Sequence, residues 1–580
     1  MDKHEVADIL NEIAVLLELK GENVFKTRAY TNGARALDNL EEPLEVLIEE
    51  GRLGDIKGFG KALVEKITVL VTEGSLKYYD DLKASIPPGH IEMLDINGLG
   101  PKKIVAIHKA LRVDTIDELE KACKEGKVAE LDGFGAKSQS KILEGIEHRR
   151  KYASRHLISR TLPISEDILE DLRSHPEVIR CSLAGSQRRH RETIGDIDFL
   201  VSSKEPTIVI EDFAGHELVE SVLVKGETKT SVILAGGIQA DLRVVTDAEF
   251  PFALAYFTGS KEHNIVMRQR AIARGLRLNE YGLFKSKEET RDPELLVPCQ
   301  TEEEIFEKLD LAYIPPELRE DHGEFDVAEK GELPRLLEWT DLKGSLHNHS
   351  EWSDGRGTLE EIARHMIELG LSYWAITDHS KTSFQANGLD EERLRKQLKE
   401  IAEVNRKLED EGEDFRLLSG SEVDILTDAS LDFDEDLLSQ LDCVVASIHQ
   451  SLQQSEKEIT NRLIKAAECP HVHMLGHMTG RLLLNREASK VNHQAVIDAC
   501  AETGTWIELN ANPFRFDMDW RHWRHAVSKG VKCVVNCDAH KFEHAGFLKL
   551  GAGVARKGWL RKEDVVNTLT LEKLMNALKG

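Results

Sequence analysis

Six times in the last third of the chain, a short apolar run ends in side chains able to hold a metal ion. "LKGSLHNH" closes on His347 and His349, "YWAITDH" on His379, "FRLLSGSE" on Glu422, "CVVASIH" on His449, "HMLGH" on His477, and "KCVVNCDAH" on Asp538 and His540. Asp354 follows the first pair in "SEWSDG". Alternate residues of an extended segment share a face, so His347 and His349 point the same way. From about Leu342 onward these runs alternate with helical stretches, the pattern of parallel strands joined by crossover helices. In a parallel barrel the carboxyl ends of the strands meet on one face. The nine donors His347, His349, Asp354, His379, Glu422, His449, His477, Asp538 and His540 are therefore expected to converge there. Their nitrogen and oxygen chemistry suits two or three ions of the Mn²⁺ or Zn²⁺ type. A lone His-x-His says little; its recurrence at strand after strand constrains the fold. Arg481 and Lys541, near these ligands, read equally as phosphate contacts or as solvated surface residues, whereas His471, His473 and His522 read as neighbours outside the set.

A second constellation occupies the middle of the chain. "AGSQRRHRETIGDIDFLV", Ala184 to Val201, sets Asp196 and Asp198 one residue apart in an apolar strand, after a Gly185-Ser186 turn and the arginines Arg188 and Arg189. Like charges that close repel unless a cation lies between them. Asp241, in the strand "IQADLRVV", supplies a third carboxylate from a neighbouring strand. Three carboxylates suit two divalent ions, which can clamp the attacking and leaving oxygens of a phosphoryl displacement. The Gly-Ser turn and an arginine are positioned to hold phosphate oxygens. This is the equipment of nucleotidyl transfer.

The first third repeats a third pattern. "LGDIKGFGKALVEKI", "LDINGLGPKKIVAI" and "LDGFGAKSQSKIL" each join an apolar entry, Gly-x-Gly, a nearby lysine and a helical apolar rhythm. Gly58 and Gly60, Gly98 and Gly100, and Gly133 and Gly135 permit tight turns that expose a helix N-terminus, where unpaired N–H groups attract phosphate. Lys61, Lys102, Lys103 and Lys137 sit where the next phosphate would lie. Contacts of this kind hold a duplex without reading its sequence.

Composition sharpens this little. The formal charge of −27 argues against nucleic acid, but it averages over modules, and acid-rich stretches such as "TEEEIFEKLD" inflate it. No apolar span is long enough for a membrane helix, and the charged start is unlike a secretory signal. Eight cysteines without a CxxC pair fit reduced thiols and a cytoplasmic location, with Cys533 and Cys537 as core residues.

The motifs resemble known families. "GSQRRHRETIGDIDFLV", "ADLRVV", "AYFTGSKEHNIVMRQRA" and "LNEYGLF" resemble, in order and spacing, the palm and thumb of family X DNA polymerases, the group of DNA polymerase beta. The resemblance implies that Asp196, Asp198 and Asp241 hold Mg²⁺ or Mn²⁺, and that Gly185, Ser186 and Arg189 bind the triphosphate. It also puts Tyr256 and Phe257 beside the sugar, Gly259 among the nucleotide-binding residues, Asn264 at the incoming base and Arg268 at the nascent pair or the template. "NVFKTRAYTNGARAL" and "GFGKALVEKI" resemble the small domain that grips a gap's 5′-phosphate, with Lys66 at the position of a Schiff-base lyase nucleophile, beside Lys26 and Tyr30. Ala62 stands where that pattern often has another lysine. The three glycine hairpins resemble helix-hairpin-helix modules, and the C-terminal motifs resemble the polymerase-and-histidinol-phosphatase (PHP) domain with its full ligand set.

The expected architecture is multidomain: an all-α helix-hairpin-helix region over 1–150, an α+β nucleotidyltransferase palm over 151–245, a thumb over 246–315, a linker over 316–340, and an α/β distorted PHP barrel over 341–580. The resemblance implies a polymerase that fills gaps in DNA, on gapped or primer-template DNA with dNTPs, and a metal-dependent 3′→5′ exonuclease that also removes 3′-phosphates or cuts at abasic sites; a monomer is the default expectation. The alternative is a PHP phosphatase for small phosphomonoesters, tethered to DNA by its front half.

Overall fold

The computed structural model describes the chain except residues 2, 39, 41–43, 57, 97, 153, 287, 289 and 580 and the side chains of residues 4, 38, 148 and 151. Two compact units divide near residue 153.

The first unit is helical. Val6, Leu10, Ile13, Leu17, Ile67 and Leu70 belong to one buried cluster that spans its helices. The leading glycines of the three hairpins, Gly58, Gly98 and Gly133, have φ of +102°, +85° and +77°. A Cβ disfavours that conformation, which explains the residue type. Gly60 and Gly100 are extended and start the helices Lys61–Glu73 and Pro101–Leu111, while Gly135 precedes Ala136–Tyr152.

The second unit contains two sheets that matter for function. In the palm, five strands lie in the order Val178–Leu183, Asp196–Ser203, Ile238–Val245, Lys229–Leu234 and Val219–Lys225. Asp196–Ser203 runs parallel to Ile238–Val245, and the register sets Asp198 directly opposite Asp241. The helices Ile158–Ser174 and Pro206–Ala214 bury Ile168, Leu172, Val209 and Phe213 against Ile197, Phe199 and Val201. This leaves the alternate residues Asp196 and Asp198 on the half-exposed face.

The stretch 316–340 is not the linker its polar, proline-containing sequence suggests. It folds into a short Pro316–Leu318 turn and a Glu324–Lys330 helix. Leu318, Phe325, Ala328 and Leu336 join Phe252, Met267, Phe306 and Leu309 in the core of the thumb. Burying each such side chain contributes about 1.5–3 kcal/mol, more than an extended connector can offer. The Arg319 side chain is fully buried and donates to Glu302 at 2.8 Å.

The C-terminal sheet has seven parallel strands in sequence order, from Gly344–Ser345 to Cys533–Asn536. Asn536 accepts from the Leu346 N–H at 2.8 Å, and the Asp538 N–H donates to the His347 carbonyl at 3.0 Å, drawing the last strand back onto the first. The lumen is filled by Leu346, Tyr373, Leu418, Val445, Met474 and Val534. Cys533 and Cys537 are buried, as expected of core residues, and all eight cysteines are free thiols. Among the described residues, no helix is long and apolar enough to cross a membrane.

Candidate active sites

The palm brings its three expected carboxylates together. Asp198 is pushed up to about 7, first by burial and then by the charges of Asp196 and Asp241. Asp196 is raised for the same reasons, burial first and Asp241 second. Burial acts on Asp241 as well, but hydrogen bonds from Lys229, Gln239 and Ser231 outweigh it and hold this carboxyl below its ordinary range. The Lys229 ammonium lies 2.7 Å from Asp241 Oδ2. No motif marks this lysine, whose partner is set by strand pairing. Gly185 adopts φ +58°, and a Cβ there would lie 1.9 Å from Asp198 Oδ2. Only glycine lets this backbone approach the carboxylate, and Gly185–Arg188 is a single helical turn instead of the expected tight turn.

The two arginines are already engaged. Arg188 forms a fork with Glu302 at 3.1 and 2.6 Å. Arg189 donates to the carbonyls of Thr258 and Gly259 at 2.7 and 2.8 Å and to Glu320 at 3.1 Å. Its proximity still favours the charged form of Asp198. Glu320 also takes the fully buried Lys557 ammonium at 2.6 Å, and Lys557 donates to the Arg189 carbonyl at 3.1 Å. A PHP helix, Phe547–Lys557, thus supports the loop that carries Ser186 and Arg189. On the same helix Gly553 admits the His190 ring: a Cβ there would meet Nε2 at 1.9 Å.

Tyr256 and Phe257 meet edge to face at 5.1 Å. Asn264 donates to the Tyr256 carbonyl at 2.7 Å, and a Cβ on Gly259 would strike Asn264 at 2.2 Å. Tyr256, Asn264 and Arg268 line one small cavity with Phe252, Met267 and Phe306.

In the barrel, all nine expected ligands assemble. Four overlapping groups hold their donor atoms within 4.8 Å of one another: His349, Asp354, His379 and His540; His347, Glu422 and His477; His347, His349 and Asp538; His379, Glu422 and His449. Glu422 is central, with nitrogens of His477, His379, His449 and His347 at 2.9, 2.9, 3.1 and 3.3 Å. Both its oxygens are buried without a hydrogen bond, as are His347 Nε2, His349 Nδ1 and His379 Nδ1. Orphaned buried donors facing orphaned acceptors are costly unless a cation joins them, so this set fits metal ions. The field is strong. Burial opposes ionisation of Glu422, yet the surrounding His449, His347 and His379 hold it well below its ordinary range. Burial and the neighbouring His540 and His379 push His349 down to about 3.

Sequence reasoning missed the carboxylates behind the ligands. Glu508 Oε1 lies 2.7 Å from His347 Nδ1, and Asp424 Oδ1 lies 2.9 Å from His449 Nδ1. Such partners fix the ring that faces the ion. A buried glutamate within the apolar "TWIELN" was the available signal. Arg481 is tied to Asp519 at 2.7 Å and to the Arg515 carbonyl at 2.7 Å. His473 bonds the Leu578 carbonyl at 2.9 Å, and His522 stacks on His493. Neither belongs to a donor group, as expected.

In the first unit, Lys61, Lys102 and Lys137 are exposed beside their hairpins. Lys103 instead caps the Gly98 carbonyl at 2.7 Å. Lys66 lies 4.7 Å from the centre of the Tyr78 ring, on which Tyr30 stacks, while Lys26 pairs with Glu22.

Comparison with known proteins agrees with these parts. The model of the DNA polymerase beta thumb matches residues 253–320, reaching into the stretch expected as linker. A helix-hairpin-helix domain matches 1–76, a SAM-like helix-hairpin-helix tandem 91–147, and the PHP domain 345–512. The chain is 23% identical over 342 residues to DNA polymerase lambda of Rattus norvegicus, covering 54% of this chain and 56% of that one. It is 32% identical over 148 residues to Repair DNA polymerase X of African swine fever virus, covering 23% and 78%. It is 39% identical over 581 residues to the DNA polymerase/3′-5′ exonuclease PolX of Bacillus subtilis, covering 100% of both. A relative this similar from end to end shares its family, and the chain belongs to the bacterial PolX group of family X DNA polymerases.

Proposed function

We propose that this chain fills short gaps in DNA by nucleotidyl transfer at Asp196, Asp198 and Asp241, and hydrolyses DNA 3′ ends at the PHP centre. The observation that carries the first activity is the register that sets Asp198 against Asp241 with Asp196 beside them. Divalent ions, Mg²⁺ or Mn²⁺ in the palm and two or three Mn²⁺ or Zn²⁺ in the barrel, would supply charge neutralisation and acidify the attacking oxygen. The residues of the chain do the rest. Lys229 keeps Asp241 ionised, and Gly185 lets the Ser186 turn approach a triphosphate held against Asp198. Arg189 exchanges Glu320 for a phosphate. Tyr256 and Phe257 bound the sugar, with Gly259 among the nucleotide-binding residues, Asn264 at the base and Arg268 at the nascent pair or the template. In the barrel, Glu508 and Asp424 orient His347 and His449, and Asp354, Asp538 and Glu422 balance the charge of the ions.

The partners are gapped or primer-template DNA and dNTPs, bound by a monomer in the cytoplasm. The hairpin amides after Gly58, Gly98 and Gly133, with Lys61, Lys102 and Lys137, hold the DNA backbone. Lys66, beside the Tyr30–Tyr78 stack, is the candidate lyase nucleophile. Primer extension across a one-nucleotide gap tests the reading. An Asp198→Ala protein should lose it by about a thousandfold, roughly 4 kcal/mol; retained extension overturns the polymerase assignment.

A further inference from the structure

One donor cluster lies outside both active sites, in the first unit. His90, in the Pro88–Met93 helix, His108, near the end of the Pro101–Leu111 helix, and Asp114, in the turn that follows, hold their ligand atoms within 4.8 Å of one another. His90 Nε2 and His108 Nδ1 lie 2.9 and 2.8 Å from the same oxygen, Asp114 Oδ1. Both nitrogens also hydrogen-bond the Val113 carbonyl, at 3.2 and 3.4 Å, which leaves Asp114 Oδ1 as the unsatisfied member. Two ring nitrogens therefore approach the same two oxygens. Zn²⁺ with bonds of about 2.0–2.1 Å in a tetrahedron sets its ligand atoms about 3.3 Å apart, close to these separations.

Hydrogen bonding alone accounts for the cluster poorly. Asp114 Oδ1 is shielded from solvent and accepts no hydrogen bond, although ring nitrogens lie 2.8 and 2.9 Å away. Glu422 in the barrel shows the same signature: a buried carboxylate oxygen with no hydrogen bond among imidazole nitrogens at 2.9–3.3 Å. The backbone is built for the approach. Gly89 lies so close to the turn that a Cβ would meet the Asp114 carbonyl at 2.1 Å.

We infer that His90, His108, Asp114 and the Val113 carbonyl bind one structural divalent ion of the Zn²⁺ class. Two imidazoles with oxygen donors favour Zn²⁺, Co²⁺ or Ni²⁺ over Mg²⁺. The ion would tie the Pro88–Met93 helix to the far end of the Pro101–Leu111 helix, bracing the hairpin of Gly98 and Gly100 between them. In a small helical unit such a clip adds stability that a modest core lacks.

The test uses the full chain, stripped of metal and titrated with Zn²⁺, beside a His90→Gln/His108→Gln protein, with Asp114→Asn as a second variant. Glutamine and asparagine keep hydrogen-bonding ability, so folding survives even where metal binding does not. The wild type should bind one more equivalent of Zn²⁺ than either variant. With Co²⁺, the difference spectrum should show a tetrahedral ligand-field band. Zn²⁺ should slow hydrogen exchange over residues 88–115 in the wild type alone. Equal stoichiometry, with no Zn²⁺-dependent protection of 88–115, overturns the assignment.

Discussion

The two active sites reach the same end, a cluster of anionic oxygens around cations, by opposite routes. In the palm, three carboxylates share a half-exposed sheet face, and Lys229 pairs with one of them, Asp241. Burial first, and then the repulsion of Asp196 and Asp241, raises Asp198 to about 7. In the barrel, Glu422 and Asp538 are buried and still held well below the ordinary carboxylate range by histidines around them. A third layer of Glu508 and Asp424 orients those histidines. The barrel is preorganised and should keep its ions between turnovers. The palm is left incomplete, which suits a site whose ions arrive with the triphosphate.

The largest expected effect that sharpens this contrast is Glu422→Gln. It should strip metal from the barrel and lower 3′→5′ hydrolysis about a thousandfold, roughly 4 kcal/mol, leaving gap filling unchanged; elemental analysis and a 3′-end-trimming assay check it. Glu508→Gln should weaken the barrel's hold on metal about 10–100-fold, the usual cost of losing an orienting partner, read by competition with a chelator. The palm should respond to pH around neutrality. Because Asp198 titrates near 7 in the ion-free chain, the folded state holds a proton there that the unfolded state has released. That stabilising contribution is full below the ordinary carboxylate range and is lost as pH rises through about 7. Mg²⁺ should therefore protect the Asp196–Ser203 strand from hydrogen exchange more at about pH 8 than at about pH 6, and equal protection breaks the contrast. The smallest effect concerns the helix shared by both sites. Lys557→Met should raise the half-saturating dNTP concentration about fivefold, roughly 1 kcal/mol, with hydrolysis unaffected and Lys557→Arg restoring affinity.

What the sequence made legible follows the same division. The nine barrel ligands and the Asp196–Asp198 pair are local patterns, each fixed by a strand end or by alternation along one strand. Asp241 needed only the guess that its strand lies next door. Lys229, Glu508 and Asp424 depend on which strand pairs with which and which ring turns inward, and nothing near them in the chain records that. The misread linker has another cause. Arg319, Glu302 and Glu324 look like surface residues but are buried in ion pairs, with Glu324 on His263 at 2.9 Å. Buried charge paired inside a core reads, in sequence, as solvated connector. The arginines misled in the same way: Arg189 lies at the expected place, yet Glu320 holds it.

The central claim is that two separate cation sites, one in the palm and one in the barrel, serve two chemistries in one chain. The most direct test assays Asp241→Asn and Glu422→Gln proteins in parallel on one recessed-3′-end duplex, with and without dNTPs. Asp241→Asn should stop extension and leave trimming intact, while Glu422→Gln should stop trimming and leave extension intact. Loss of both activities in either protein would contradict it.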